Sequence, residues 1–318
     1  MINIRNPLIQ ISNLTKIYRG NEAVSHLNLD IPTSSFALLG PNGAGKTTTI
    51  LMILGLISRT SGRVNILGKE IPRELNYIRN EIGYLPENVG LFPHMTGMEH
   101  IRLFQRLKIR GATSTKEDLE ARLEWCGLDQ DKWYEKVKIY SRGMRQRLGL
   151  ALAFAGNPKI VILDEPLSNV DPLGRDDLIK KIREKYDKGI SVIISSHIMQ
   201  EIEQIAEHIA IIDKGKLLIS GSFIELAIEH GYLEFEIKSL QNKGDDLMDI
   251  FKFIKSHQEL LLNEPVKLDD KVIIKSRKAG RIQQELATEQ KSWLLKPLDG
   301  ILIKIYKDIV RGEHHEIP

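Results

Sequence analysis

Apolar and polar positions fall into three patterns along this chain, and their order predicts the architecture. Ile9 to Tyr18 carries alternating apolar positions and ends on an aromatic residue, as a half-buried strand does, and Val24 to Ile31 reads as a second strand followed by Pro32. Unbroken apolar runs come next: Phe36 to Leu39, Lys159 to Leu163 and Ile190 to Ser195 read as strands, the first two buried on both faces. Thr49 to Ile57 and Gly149 to Ala155 read as apolar helices, whereas Met98 to Arg110 and Lys116 to Gly127 show helical periodicity within a segment running from Val89 to Ile139. An N-terminal antiparallel sheet leading into a parallel core is therefore predicted. Beyond Gly215 to Gly221, which reads as a last hairpin, a helix from Ser222 to His230 opens a more charged region. There Leu233 to Ile237 and Val272 to Lys275 alternate as strands, and Asp245 to His257 and Ala279 to Gln290 read as amphipathic helices.

Composition narrows the class without naming it. The 318 residues, 42% hydrophobic and 27% charged, allow a full core and about two domains. A formal net charge of +3 is too small to argue for nucleic acid, and no nucleic-acid partner is expected. The longest apolar stretch, Ile50 to Ile57, falls far short of the roughly 20 residues that span a bilayer, and no leader pattern precedes Ile9. Cys126 has no second cysteine to pair with and reads as a buried, inert thiol, while His314 and His315 read as a solvated pair in a polar tail. Neither a fixed-period repeat nor a biased linker is present.

Candidate chemistry begins at Gly40-Pro41-Asn42-Gly43-Ala44-Gly45-Lys46-Thr47-Thr48, a P-loop spacing set between a predicted strand and a predicted helix. Glycines let the backbone turn its N–H groups inward as an anion nest at a helix N-terminus. Lys46 is expected on the β- and γ-phosphates of a nucleoside triphosphate, the Thr47 hydroxyl on Mg²⁺, and Thr48 near the α-phosphate. Asp164 and Glu165 end the strand that starts at Lys159. Asp164 is expected to hold the Mg²⁺ shell and Glu165 to polarise an attacking water as general base.

The segment Tyr140-Ser141-Arg142-Gly143-Met144-Arg145-Gln146-Arg147-Leu148 lies between the P-loop and those acids. The order of P-loop, this serine-glycine segment, acidic strand, Ser168-Asn169-Val170-Asp171-Pro172 and Ser195-Ser196-His197 resembles the ATP-binding-cassette (ABC) ATPases over roughly residues 8 to 225. The resemblance implies an α/β fold, a P-loop ATPase core with an N-terminal antiparallel β subdomain and a helical subdomain at 89–139, and the strand and helix pattern beyond it reads as a small C-terminal α+β module at 231–318. It also implies roles. Tyr18 would stack on adenine, Ser141 and Gly143 would bind the γ-phosphate held by a second subunit, Asp171 would lie in the loop joining two sites, and His197 would contact the γ-phosphate and orient either Glu165 or the water.

Four positions depart from the pattern of the resemblance. Tyr140 replaces a leucine and Arg142 a glycine, which removes backbone freedom and adds a cation that either contacts phosphate or faces solvent. Met144 stands where glutamine is common. Glu87 stands where a glutamine that touches Mg²⁺ and the water is usual, so it is carried as a candidate metal ligand and catalytic residue that adds negative charge near the triphosphate.

The resemblance further implies a groove for a short helix of a membrane subunit, with Leu91, Phe92, Met95 and Met98 either lining it or packing internally. The stretch from Pro297 to Tyr306 resembles the ending of prokaryotic cassettes paired with separately encoded export permeases. Its region serves either dimer contact or regulation, or is a packing appendage. The expected protein is an ATP-hydrolysing, Mg²⁺-dependent subunit of an ABC transporter, forming a homodimer at the cytoplasmic face of a membrane beside a separate multi-span permease. The competing reading is a soluble ABC switch acting on ribosomes or nucleic acid.

Overall fold

Alternating and unbroken apolar runs sort into two different sheets. The structure, a computed structural model, describes residues 7–108, 115–168, 170–239, 244–268, 270–288 and 293–311. Asn169, His314 and His315 lie outside the described residues, as do the ends of the helices predicted to reach Arg110 and Gln290. In chain order, β1 (Ile9–Tyr18), β2 (Asn21–Ile31) and β3 (Ser35–Leu39) precede α1 (Lys46–Ile53), β4 (Ser61–Ile66), β5 (Lys69–Glu70), α2 (Leu75–Glu81) and β6 (Ile82–Leu85). Next come α3 (Gly97–Lys108), α4 (Lys116–Trp125), α5 (Arg142–Ala153), β7 (Ile160–Asp164), α6 (Pro172–Asp187), β8 (Ser191–Ser196), α7 (Met199–Ile202), β9 (His208–Asp213) and β10 (Lys216–Ser222). The remainder is α8 (Phe223–Glu229), β11 (Glu234–Ser239), α9 (Gly244–Ser256), β12 (Val266–Lys267), β13 (Val272–Lys275), α10 (Ala279–Thr288), β14 (Trp293–Pro297) and α11 (Ile301–Arg311).

The first sheet is antiparallel in the order β2-β1-β4-β5. Ile9 lies opposite Ile31 and Ile66, Ile11 opposite Leu29 and Val64, and all six are buried, so one face closes a core. Alternation skips a step between Ile11 and Leu14. The register shifts there and Asn13 takes φ 52°, a bulge that returns Leu14 to the buried face.

The second sheet runs β10-β9-β3-β8-β7-β6 and is parallel from β9 through β6. β3 and β7 are buried at every position, which is why their sequences are unbroken apolar runs. Parallel order brings the C-terminal ends of β3, β7 and β8 to one edge of the sheet, where ligands gather in such folds. The loop before α1, the acids after β7 and His197 after β8 all leave from that edge.

The helix predicted through Ile57 stops early, with Ile53 as its last residue. Gly55 takes φ 62° and donates to the Met52 carbonyl, and Leu56 N donates to the Leu51 carbonyl, a glycine-ended stop that satisfies the last carbonyls. Beyond Gly55, Ile57 packs against the core while Leu56 is exposed. In the helical layer, Met98, Ile101, Leu119, Leu123, Trp133 and Leu148 form a second core built by α3, α4 and α5. Met98 is therefore internal packing and not part of an exposed groove. Leu91 also packs against this core, whereas Phe92 is exposed and stacks on His100.

The chain divides into two compact units, Met1–His197 with His208–Ser220, and Ile198–Glu207 with Gly221–Pro318. The boundary falls at Gly221 rather than between 225 and 231, and the segment holding α7 belongs with the C-terminal unit. That unit contains an antiparallel sheet, β12-β13-β11-β14, accompanied by amphipathic helices. It has two more strands than the sequence pattern predicts, because β12 is only two exposed residues long and β14 is buried at three consecutive positions, Leu295, Lys296 and Pro297, without alternation. Among the described residues, no helix is long and apolar enough to cross a membrane.

Candidate nucleotide-binding and hydrolytic site

Glycine is required in the loop between β3 and α1 for steric reasons. A Cβ at Gly40 would meet the Ile212 carbonyl oxygen at 2.2 Å, and one at Gly45 would meet the Ala23 carbonyl oxygen at 2.6 Å on a backbone with φ 103°. Pro41, Asn42 and Gly43 are exposed at the tip, Ala44 is buried beneath it, and Gly45 caps α1. Lys46, Thr47 and Thr48 form the first turn of α1, so their N–H groups lie at the positive end of its dipole.

Lys46 is only 6% exposed. Its ammonium donates to the carbonyls of Gly40 at 2.8 Å and Pro41 at 3.2 Å, and lies 3.3 Å from Glu165 Oε1. The other carboxylate oxygen of Glu165, Oε2, lies 2.9 Å from His197 Nδ1. One buried carboxylate thus sits between a buried cation and a half-exposed imidazole. Glu165 adopts φ 49°, a left-handed conformation that non-glycine residues rarely take and that surrounding contacts must hold. Those contacts are present: its N–H donates to Ser195 Oγ and O, and its carbonyl accepts from the Ser168 hydroxyl.

Asp164 is fully buried beside it. The Ser195 hydroxyl donates to Asp164 Oδ1, so Ser195 links the two acids, one as acceptor from Glu165 N–H and one as donor. Asp164 Oδ2 has no hydrogen-bond partner among the described residues. Burial, reinforced by the carboxylates of Asp164 and Glu87, pushes the Tyr84 phenol well above its usual range.

Sequence pattern assigns no role to Ser195 or Gln146, and the structure supplies one for each. Register places Ser195 on β8 directly across from Asp164 on β7. Gln146, on the buried side of α5, donates to the Pro166 carbonyl at 2.9 Å and supports the turn that carries Glu165. An adjacent-strand pairing could have revealed the first, but no local pattern encodes the second.

The remaining candidates lie on other elements. Tyr18 is exposed at the end of β1, with Lys16 Nζ 4.7 Å from its ring centroid, leaving an aromatic face at the surface. Ser141 is the N-cap of α5, its hydroxyl accepting from Met144 N at 3.1 Å. Arg142 and Gly143 are the first helical residues, so the expected loss of backbone freedom at Arg142 does not arise: the position is helical and needs no glycine. Met144 packs against the helical-layer core. Asp171 caps α6, accepting from Gly174 N at 2.9 Å.

Glu87 lies on a separate loop. It is exposed on the loop after β6 and has no hydrogen-bond or ion-pair partner among the described residues. It lines a polar cavity of about 310 Å³ with Asn88, Val89, Arg142, Arg145 and Gln146.

Comparison with known proteins identifies the family. The ABC transporter family matches residues 24–168. The chain is 42% identical over 216 residues to the ABC transporter ATP-binding protein YhcH of Bacillus subtilis, covering 66% of this chain and 68% of that protein. It is 38% identical over 245 residues to the bacitracin transport ATP-binding protein BcrA of Bacillus licheniformis, covering 76% and 78%. A solved dimeric bacterial ABC transporter cassette superposes with a TM-score of 0.63 at 26% identity, over 67% of this chain and 98% of that one. With the lysine, the paired acids and the histidine assembled at one sheet edge, the chain belongs to the ABC transporter family as an ATP-binding, ATP-hydrolysing subunit.

Proposed function

We propose that Glu165 is the general base of ATP hydrolysis and that two copies of this chain close head to tail around two ATP molecules to drive a separate permease. The observation that carries the reading is the Glu165 carboxylate held between Lys46 at 3.3 Å and His197 at 2.9 Å. Glu165 would take a proton from water as the water oxygen bonds to the γ-phosphorus and the bond from that phosphorus to the β–γ bridging oxygen breaks. Lys46 would leave its loop carbonyls to neutralise the triphosphate, and His197 would keep Glu165 aimed. Tyr18 would stack on adenine, the loop from Gly40 to Gly45 and the first turn of α1 would hold the phosphates, and Ser141 and Gly143 would meet the γ-phosphate of the partner copy.

The buried, unpartnered Asp164 Oδ2 fits a cation, since a buried carboxylate oxygen left unpaired is costly. Asp164 and Thr47 would hold Mg²⁺, which when bound supplies Lewis-acid stabilisation of phosphate charge. Glu87, whose carboxylate acts together with that of Asp164 on the Tyr84 phenol, is a further candidate for that set.

The permease would dock on an apolar depression of about 410 Å³ lined by Leu54, Leu56, Leu75, Tyr84, Phe104 and Leu107. Leu56 and Leu107 are 53% and 68% exposed there, more apolar surface than a solvated face needs. Of the residues that either line a groove or pack internally, Leu91 and Met98 take the packing alternative, which favours this depression for docking. Resemblance to the bacitracin transport ATP-binding protein supports transport as the work that ATP hydrolysis drives, and we carry outward transport at the cytoplasmic face of a membrane as part of this proposal.

Replacing Glu165 with Gln tests the reading. Turnover should fall by about 100-fold or more, ATP binding should persist, and an ATP-dependent dimer should accumulate in size-exclusion chromatography. A variant that hydrolyses at the parent rate and stays monomeric with ATP would remove Glu165 from this role.

A further inference from the structure

Two of the residues that depart from the family pattern, Glu87 and Arg142, are far apart in sequence yet line the same cavity. Glu87 comes from the loop after β6, whereas Arg142 and Arg145 come from the first turn of α5, and Asn88, Val89 and Gln146 complete the walls. The lining is mainly polar, and its volume of about 310 Å³ admits several waters between the charged groups. Glu87 has no hydrogen-bond or ion-pair partner among the described residues, so its carboxylate is not committed elsewhere. It faces the amino end of α5, where both the helix dipole and two guanidinium groups favour a negative charge.

We propose that Glu87 and Arg142 are a charge-compensating pair of positioning residues, coupled across this cavity, that set how strongly the α5 N-terminus attracts the triphosphate of the partner copy. The proposal rests on the head-to-tail reading above. Arg142 lies between Ser141 and Gly143, so its charge adds to whatever attraction that turn exerts on an anion. A glutamine at 87 with arginine at 142 would leave an excess cation there; glutamate at 87 with a neutral residue at 142 would leave an excess anion. With both present the added charges cancel, and Arg145 remains as the net cation. This cancellation gives each departure its reason. It also explains how a carboxylate at 87 is tolerated near a site that binds a highly charged anion.

The coupling is solvent-screened and therefore modest, a factor of about two to five in an equilibrium or Michaelis constant. The test is a double-mutant cycle with Glu87→Gln and Arg142→Gln, read as KM and kcat for ATP in the full chain and repeated in high salt. Glu87→Gln should lower KM and Arg142→Gln should raise it, each by about two- to fivefold. The double variant should return toward the parent, and the charge-swapped double Glu87→Arg, Arg142→Glu should recover more than either of its single changes. All of these differences should shrink at high salt.

Additive effects in the cycle, single changes of the same sign, or insensitivity to salt would overturn the proposal. Failure of the head-to-tail reading looks different: the Glu165→Gln variant would then form no ATP-dependent dimer, whatever the cycle gives. A change in folding alone would lower kcat in both singles without opposite shifts in KM, and that outcome also counts against the pair.

Discussion

Tyr140 occupies a position where the resemblance implies leucine, and the hydroxyl it adds has been accommodated by a specific neighbour. It is 4% exposed, its hydroxyl donates to the Lys132 carbonyl, and burial pushes its phenol up to about 12. A Cβ at Gly97 would lie 2.7 Å from that oxygen, so Gly97 is small because Tyr140 is large. Gly97→Ala should therefore destabilise the nucleotide-binding unit by about 1–2 kcal/mol in urea denaturation, and adding Tyr140→Phe should recover part of the loss. A neutral Gly97→Ala would mean the tyrosine moves aside freely. Cys126 is a second residue whose state follows from burial: its thiol is pushed up to about 12, and it should resist alkylation at pH 8 until the chain is denatured. Rapid alkylation of the native protein would contradict that burial. At this scale the candidate residues Lys46, Asp164, Glu165 and His197 were legible because each sits inside a short local pattern. The compensation between Tyr140 and Gly97 was not, since it joins two elements that only packing brings together.

Element boundaries show where periodicity and capping compete. Hydrophobicity alone carries the first helix on to Ile57, but the left-handed backbone at Gly55 ends it after Ile53. α5 begins at the serine of the serine-glycine segment itself, because Ser141 offers a side-chain oxygen to an otherwise unpaired N–H. α11 uses a cap from elsewhere in the chain. Glu203, just after α7 and 3% exposed, accepts from Gly300 N at 2.7 Å and Leu302 N at 2.6 Å, closing the start of α11 with both carboxylate oxygens. Glu203→Ala should expose those amides, lower the stability of the C-terminal unit by about 1–3 kcal/mol, and speed hydrogen exchange at the start of α11. Glu203→Gln, which keeps one acceptor, should do less. Unchanged exchange in the alanine variant would show that the helix holds itself. Nothing near Ile301 in the sequence announces this cap, since its donor and acceptor lie on distant segments.

For the molecule as a whole, the proposed partner surface and the proposed hydrolytic site are both properties of the larger unit. Leu107→Asp, placed on the apolar depression and away from the site residues, should abolish co-purification of a multi-span membrane protein from solubilised membranes. ATP hydrolysis by the isolated chain should stay near the parent rate. Retained co-purification would move the docking surface elsewhere, and recovery with ribosomes or nucleic acid instead would favour the soluble-switch reading. The chain's linear order was enough for the phosphate-binding loop, the acidic strand and the succession of antiparallel and parallel sheets. These are encoded by spacing and periodicity over a few consecutive residues, where backbone geometry and side-chain burial are local matters. Tertiary structure alone decided that Ser195 would bridge Asp164 and Glu165, that Met98 would be core, that Glu203 would cap α11, and that Glu87 would share a cavity with Arg142. Each of those contacts joins segments distant in sequence, and their energies depend on sheet order and packing that no local pattern contains.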